Sequence, residues 1–180
     1  MIRFFTAGES HGECLIGIID GFPSNVFIDL DYINNELKRR QKGYGRSSRM
    51  NIELDEVAIL SGINNNFTTG NPISLLIKNR AREIDVERIT RPRPGHGDLS
   101  GMLKYNQDDA KNVMERASAR ETAMRVAVGS ICKLLLKEFG ITIYSHVIQI
   151  GNAKAIYCSN MEEDILIQAD KSPLRVLDKE

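Results

Sequence analysis

A chain of 180 residues and 20.2 kDa can bury roughly two-thirds of the surface its unfolded form exposes, so a hydrophobic core needs no disulfide or metal staple. With 42% hydrophobic and 27% charged residues, 14 Gly and 5 Pro, disordered, collagen-like and mucin-like classes are excluded. Lys plus Arg number 24 and Asp plus Glu 24, so the chain lacks the global basic field of nucleic-acid binders, and any phosphate affinity must be local.

At the N-terminus, Glu9, His11 and Glu13 interrupt the sequence before the apolar region of a signal peptide could form. No apolar stretch approaches the ~20 residues of a membrane span. Cys14, Cys132 and Cys158 are odd in number and include no C-x-x-C pair, which points to a reducing compartment and away from zinc. The expectation is a cytoplasmic protein with no metal, forming one domain over residues 1–180.

Cys14 to Ile19 is a β-branched run closed by Asp20-Gly21-Phe22-Pro23, which predicts a buried strand. From Asp29 to Gln41, Leu30, Ile33 and Leu37 recur at helical spacing, with Asp29 or Asp31 as N-cap and Lys38, Arg39 and Arg40 in the last turn. Gly43 to Arg49 reads as a basic loop. Strands are expected at Val57–Leu60 and Ile73–Ile77, joined as a hairpin or meander through asparagine- and glycine-rich turns. Residues 78 to 106 lack periodicity and predict a long arginine-rich loop of the kind that carries function. Asp108 to Phe139 reads as one long helix, with Val113, Ala117, Met124, Val128, Ile131, Leu135 and Phe139 on its apolar stripe and Gly140 as its C-cap. A strand is expected from Ile141 to Ile150 and a short helix from Met161 to Ala169. Strand meanders beside one dominant helix favour α+β over a parallel β-α-β sheet.

Several residues have the chemistry of a site. His11 lies between Ser10 and Gly12 in a glycine-flanked loop, where the backbone can approach a ligand closely; the plain alternative is a loop histidine satisfied by Glu9 or Glu13. His96 stands in a second such loop, with Arg93 three residues before and Asp98 two after, an arrangement suited to protonating an anionic leaving group beside a cation. Its plain alternative is a solvated histidine. His146 alternates within an apolar run and reads as structural. Six Lys or Arg and no acid fall between Lys38 and Arg49. Arginines on a constrained loop favour capture of a small di- or trianion over diffuse attraction, and only Tyr44 is at hand to stack on RNA bases. On an unbroken helix Arg116 and Arg120 share a face, as do Ser118 and Thr122, with Glu115 available to neutralise either arginine and Glu121 to pair with Arg125. No dinucleotide or Walker fingerprint is present.

In order, Gly8-Glu9-Ser10-His11-Gly12, Arg39-Arg40-Gln41 through Gly43-Tyr44-Gly45-Arg46-Ser47, Arg93-Pro94-Gly95-His96 and Arg116-Ala117-Ser118-Ala119-Arg120-Glu121-Thr122-Ala123 closely resemble chorismate synthase. The resemblance runs from residue 2 to about 151, with Gly97 where the family commonly has alanine. It implies an α+β antiparallel sheet sandwich with helices and a cytoplasmic homotetramer of the shikimate pathway, the route to the aromatic amino acids. The implied reaction is 1,4-anti elimination of phosphate from 5-enolpyruvylshikimate 3-phosphate, giving chorismate, with reduced FMN and no net redox change; no nucleic acid or membrane is involved. By carry-over onto matching positions, His11 and His96 are the catalytic residues, the first serving the reduced flavin and the second donating a proton to the departing phosphate. Ser10, Arg40, Arg46, Arg49, Arg93 and Arg120 are the substrate contacts. Arg116, Ala117 and Ser118 contact FMN, and Arg40 and Arg46 are also assigned to NADP, with NADPH as a possible reductant. Members of the family are substantially longer, so the chain is expected to be the N-terminal portion of a longer fold with an incomplete flavin site. The alternative from another class is a truncated, non-catalytic anion-binding or interaction protein that keeps the arginine face; retention of both His11 and His96 argues against it.

Overall fold

The computed structural model describes residues 1–82, 87–155 and 167–177. A four-stranded antiparallel sheet is its base, with strands β1 (Arg3–Gly8), β2 (Cys14–Asp20), β3 (Val57–Ser61) and β6 (Ile73–Lys78) in the order β1-β2-β6-β3. Between β3 and β6 a small hairpin of β4 (Ile63–Asn64) and β5 (Phe67–Thr68) turns through Asn65 and Asn66, both at positive φ. Of the expected hairpin or meander, the antiparallel pair of β3 and β6 is present, and β1, where no element was expected, adds an edge.

Alternation along the strands puts one row inward. Leu15 lies opposite Ile77 and Ile77 opposite Val57, Gly17 opposite Leu75, and Ile19 opposite Ile73. All seven are buried. Each fully buried Leu or Ile contributes roughly 1.5–3 kcal/mol of apolar burial. The other face keeps Phe5, Ile16, Ile18 and Leu60 exposed.

Two helices cover the inward row: α1 (Leu30–Gln41) and α5 (Thr122–Glu138) pack on each other, α5 on β2 and β6 and α1 on β3. Asp29 caps α1, accepting from the Tyr32 N–H at 3.1 Å, and Ile33 and Leu37 are its buried residues. Gly140, at φ +69°, follows the end of α5 and donates to the Lys137 carbonyl, as its position predicts. Gly17 allows α5 to approach: a Cβ there would fall 2.6 Å from Met124 Sδ.

Three expectations are corrected. Residues 98–105 are not loop but helix α3 (Asp98–Tyr105), between α2 (Arg49–Ile52) and α4 (Ala110–Arg116) in chain order. The long helix from Asp108 to Phe139 is broken: α4 ends at Arg116, a 3-10 turn spans Ala119–Glu121, and α5 begins at Thr122. Ser118 caps that turn, accepting from the Arg120 N–H, and so supplies locally the bond a continuous helix would have made. Residues 141–148 form no strand; only Gln149–Ile150 (β7) pairs, with Ala153–Lys154 (β8). His146 is half-buried. Cys158 and most of the helix expected from Met161 to Ala169 lie outside the described residues. Among the described residues no helix is long and apolar enough to cross a membrane.

Candidate active site

The strand β1 ends at Gly8, whose φ of +104° lets the chain turn sharply where a Cβ would strike the Cys14 carbonyl. That turn throws residues 9–13 toward the end of α4. There the Ser10 N–H donates to the Glu115 carbonyl at 3.0 Å, and the Glu115 carboxylate receives the His11 N–H at 2.7 Å and lies 2.8 Å from His11 Nδ1. Glu115 thus pairs with neither Arg116 nor Arg120, and the partner of His11 is neither Glu9 nor Glu13.

Arg49 comes to the same point from α2. Its Nη1 donates to Ser10 Oγ at 2.6 Å and stands 3.1 Å from His11 Nε2, its Nη2 donates to the Ser10 carbonyl, and Ser118 Oγ lies 3.0 Å from Ser10 Oγ. Ser10, His11, Arg49 and Ser118 therefore meet through direct hydrogen bonds. Two buried acids tie this group to two further arginines. Glu53 receives Arg49 at 2.9 Å, and Asp55 takes Arg40 at 3.2 Å and Arg120 on its other oxygen. Arg120, its side chain only 4% exposed, also donates to Asn79 Oδ1 at 2.8 Å, while Arg40 reaches Thr122 Oγ1 and the Ala119 carbonyl.

Burial pushes the Glu53 carboxyl up, but the Arg80 N–H, the Arg49 guanidinium and the Arg120 charge outweigh it and hold Glu53 below the usual carboxylate range. Arg40, Arg49 and Arg120 outnumber Glu53 and Asp55 by one charge, which the Glu115 carboxylate on the far side of His11 offsets. Arg40, Arg49, Arg120 and Ser118 line a cavity of about 110 Å³ with Ser47, Met50, Glu53 and Ala119. That volume holds a few waters or one small oxyanion group.

The remaining expected residues stand apart. Arg46 is exposed, donates to the Lys42 carbonyl at 3.0 Å, and shares with Arg39, Arg40, Lys133 and Arg175 a cavity of about 300 Å³. Arg93 is held on Asp98 by three hydrogen bonds of 2.8–2.9 Å, with His96 exposed on the loop between them. The Arg93 hydrogen bonds pull the Asp98 carboxyl down to about 2. Arg116 does not share a face with Arg120 across the broken helix: it donates to Thr6, whereas Glu121 pairs with Arg125 as expected. Arg116 and Ala117 line a third cavity, of about 610 Å³, with Gly97, Gly101, Lys104 and Tyr105. Among the described residues Arg116 Nη1 is buried without a hydrogen-bond partner. Among the described residues no group of three His, Cys, Asp or Glu could hold a metal ion.

Sequence reasoning missed Glu53, Asp55, Asn79 and Thr6. One signal was present for the acids: Glu53 and Asp55 are the first carboxylates after the six-cation run from Lys38 to Arg49.

A family model described as chorismate synthase matches residues 2–180. The chain belongs to the chorismate synthase family. It is 52% identical over 190 residues to a chorismate synthase of Carboxydothermus hydrogenoformans, covering 99% of this chain and 50% of that protein. It is 60% identical over 157 residues to one from Caldanaerobacter subterraneus subsp. tengcongensis, covering 85% and 45%. A solved chorismate synthase crystal structure superposes with a TM-score of 0.78 at 42% identity, covering 98% of this chain and 49% of that one. The chain thus spans about half the length of the chorismate synthases it matches. The α+β class, helices packed on antiparallel sheet, is that of this family.

Proposed function

We propose that this chain carries the anion-binding half of a chorismate synthase active site, for the elimination of phosphate from 5-enolpyruvylshikimate 3-phosphate. The observation that carries the proposal is the hydrogen-bonded cluster of Ser10, His11, Arg49 and Ser118, joined through Glu53 and Asp55 to Arg40 and Arg120. A substrate with one phosphate and two carboxylates requires several fixed cations, and guanidinium forks match such oxyanions better than ammonium groups do. Ser10, Arg40, Arg46, Arg49, Arg93 and Arg120 are the substrate contacts in this proposal. The buried acids set the arginines in place beforehand, so little ordering remains to be done on binding.

His96 is the general acid, delivering a proton to the phosphate oxygen as the C–O bond breaks. Its loop is exposed, and the next residue, Gly97, lines the third cavity together with Ala117. Arg116 and Tyr105 on that cavity, a cation and an aromatic ring, fit an anionic, flat cofactor such as FMN, held by Arg116, Ala117 and Ser118. Reduced FMN, when bound, supplies electron density to the allylic system without net redox change. His11 holds a proton at its ring for the reduced flavin. Arg40 and Arg46, on the 300 Å³ cavity, are where NADPH would be met. A cytoplasmic homotetramer belongs to the same proposal.

Phosphate release from 5-enolpyruvylshikimate 3-phosphate, with chemically reduced FMN supplied, tests it. Replacing His96 by Ala should lower kcat by about 10²-fold or more with KM little altered. An unchanged kcat overturns the general-acid role. Substrate binding by the unmodified chain with no phosphate release would favour the non-catalytic anion-binding protein.

A further inference from the structure

The two ring nitrogens of His11 have partners of opposite kind. Nδ1 faces a carboxylate oxygen of Glu115 at 2.8 Å, and Nε2 faces a guanidinium nitrogen of Arg49 at 3.1 Å. An ionised carboxylate only accepts and a guanidinium only donates. Both contacts are hydrogen bonds at once for one neutral tautomer alone: the proton on Nδ1, directed to Glu115, and the lone pair on Nε2, directed to Arg49. Both neighbours are oriented by further hydrogen bonds. Glu115 also receives the His11 N–H on its second oxygen and takes the Ser10 N–H on its main-chain carbonyl. Arg49 is anchored to Glu53 and to Ser10.

We propose that Glu115 is a positioning residue that fixes His11 as its Nδ1–H tautomer and thereby makes Nε2 the nitrogen that exchanges a proton. Glu115 acts through His11 and touches none of the anion-binding arginines, so its part differs from that of Glu53 and Asp55. The same contact makes Arg49 the guard of Nε2: while the guanidinium occupies the lone pair, no proton can enter there. An oxyanion that draws Arg49 toward itself uncovers the nitrogen. The tautomer stands on geometry alone; its use in proton transfer rests on the function proposed above.

Long-range proton–nitrogen correlation spectra of the ¹⁵N-labelled chain, recorded with the ring neutral, read the tautomer directly, and three histidines keep the assignment simple. His11 should show a pyrrole-type shift at Nδ1 and a pyridine-type shift at Nε2, the reverse of the form favoured by a free imidazole side chain in water. In Glu115→Gln a single amide oxygen must serve two N–H groups, so the Nδ1–H form should give way to a mixture or to Nε2–H. A wild-type ring protonated on Nε2 overturns the proposal, as does an unchanged pattern in a Glu115→Gln chain whose amide spectrum shows it folded. Should the variant not fold, the wild-type spectrum still decides. No flavin or substrate enters the measurement, so failed turnover overturns the proposed function without touching the tautomer, and a wrong tautomer does the converse.

Discussion

Asp98 and Arg93 show how a pair of residues can sit on opposite sides of a sequence-level expectation. Their spacing around His96 predicts a cation free for a leaving group, whereas the Arg93 guanidinium is held on Asp98 through Nε and Nη2, which leaves its Nη1 for an anion. Because these bonds depress the Asp98 carboxyl to about 2, below its ordinary value near 4, the pair contributes stability above about pH 4 and loses it as pH falls through about 2. Asp98→Asn should therefore cost about 1.5–3 kcal/mol at pH 7, the range for hydrogen bonds to a charged group. The difference between the two proteins should shrink steadily from pH 4 toward pH 2. Thermal melts across that range check it, and a gap independent of pH would mean that the carboxylate charge is not what holds the loop. At this scale the sequence made the identities legible and left the partners hidden. Glu9 and Glu13 are the local candidates for His11, but the actual partner, Glu115, is 104 positions away, and nothing in a local pattern reports such a pairing.

Among the elements, the break between α4 and α5 matters most for the site. Apolar residues keep their helical spacing across it, so periodicity alone continues the helix; the contrary signal is Ser118 followed three residues later by Glu121, the pattern of a helix start. The break turns Arg120 inward to Asp55 while Arg116 faces Thr6. Strand β1 shows no apolar–polar alternation, with Phe4 and Phe5 side by side after Arg3, and residues 141–148 have the alternation but, among the described residues, no strand partner to pair with. Asp55, fully buried at the end of the segment before β3, is what makes the break affordable in charge: it pairs with one arginine from α1 and one from the 3-10 turn. Asp55→Asn would leave two guanidinium groups undercompensated in the interior and should destabilise the chain by about 3–5 kcal/mol. Arg125→Ala, which breaks the exposed pair with Glu121 and removes the guanidinium from over the Phe4 ring, should cost no more than about 1 kcal/mol. Urea unfolding of both variants makes the comparison, and similar losses would show that the buried cluster is not the stronger restraint.

For the molecule as a whole, the site depends on how closely the helix layer sits on the sheet, because α5 carries Thr122 and follows directly from Arg120 while β2 follows directly from the His11 loop. The closeness is set at one point. Gly17 on β2 faces Met124 on α5, and Met124 is fully buried with Val128 beside it, so its side chain has no open space to enter. An added methyl at Gly17 gains a few tenths to about 1 kcal/mol from a stiffer unfolded chain. It also forces an overpacked contact worth about 1–3 kcal/mol. The second effect wins, and Gly17→Ala should destabilise by about 1–2 kcal/mol. In a Met124→Ala background, itself costing about 2–5 kcal/mol for the cavity, the clash is gone and Gly17→Ala should become neutral or stabilising. The coupling between the two sites, from a double-mutant cycle of urea midpoints, is thus expected to be at least about 1 kcal/mol. Additive losses would place the limit on layer spacing somewhere other than this glycine.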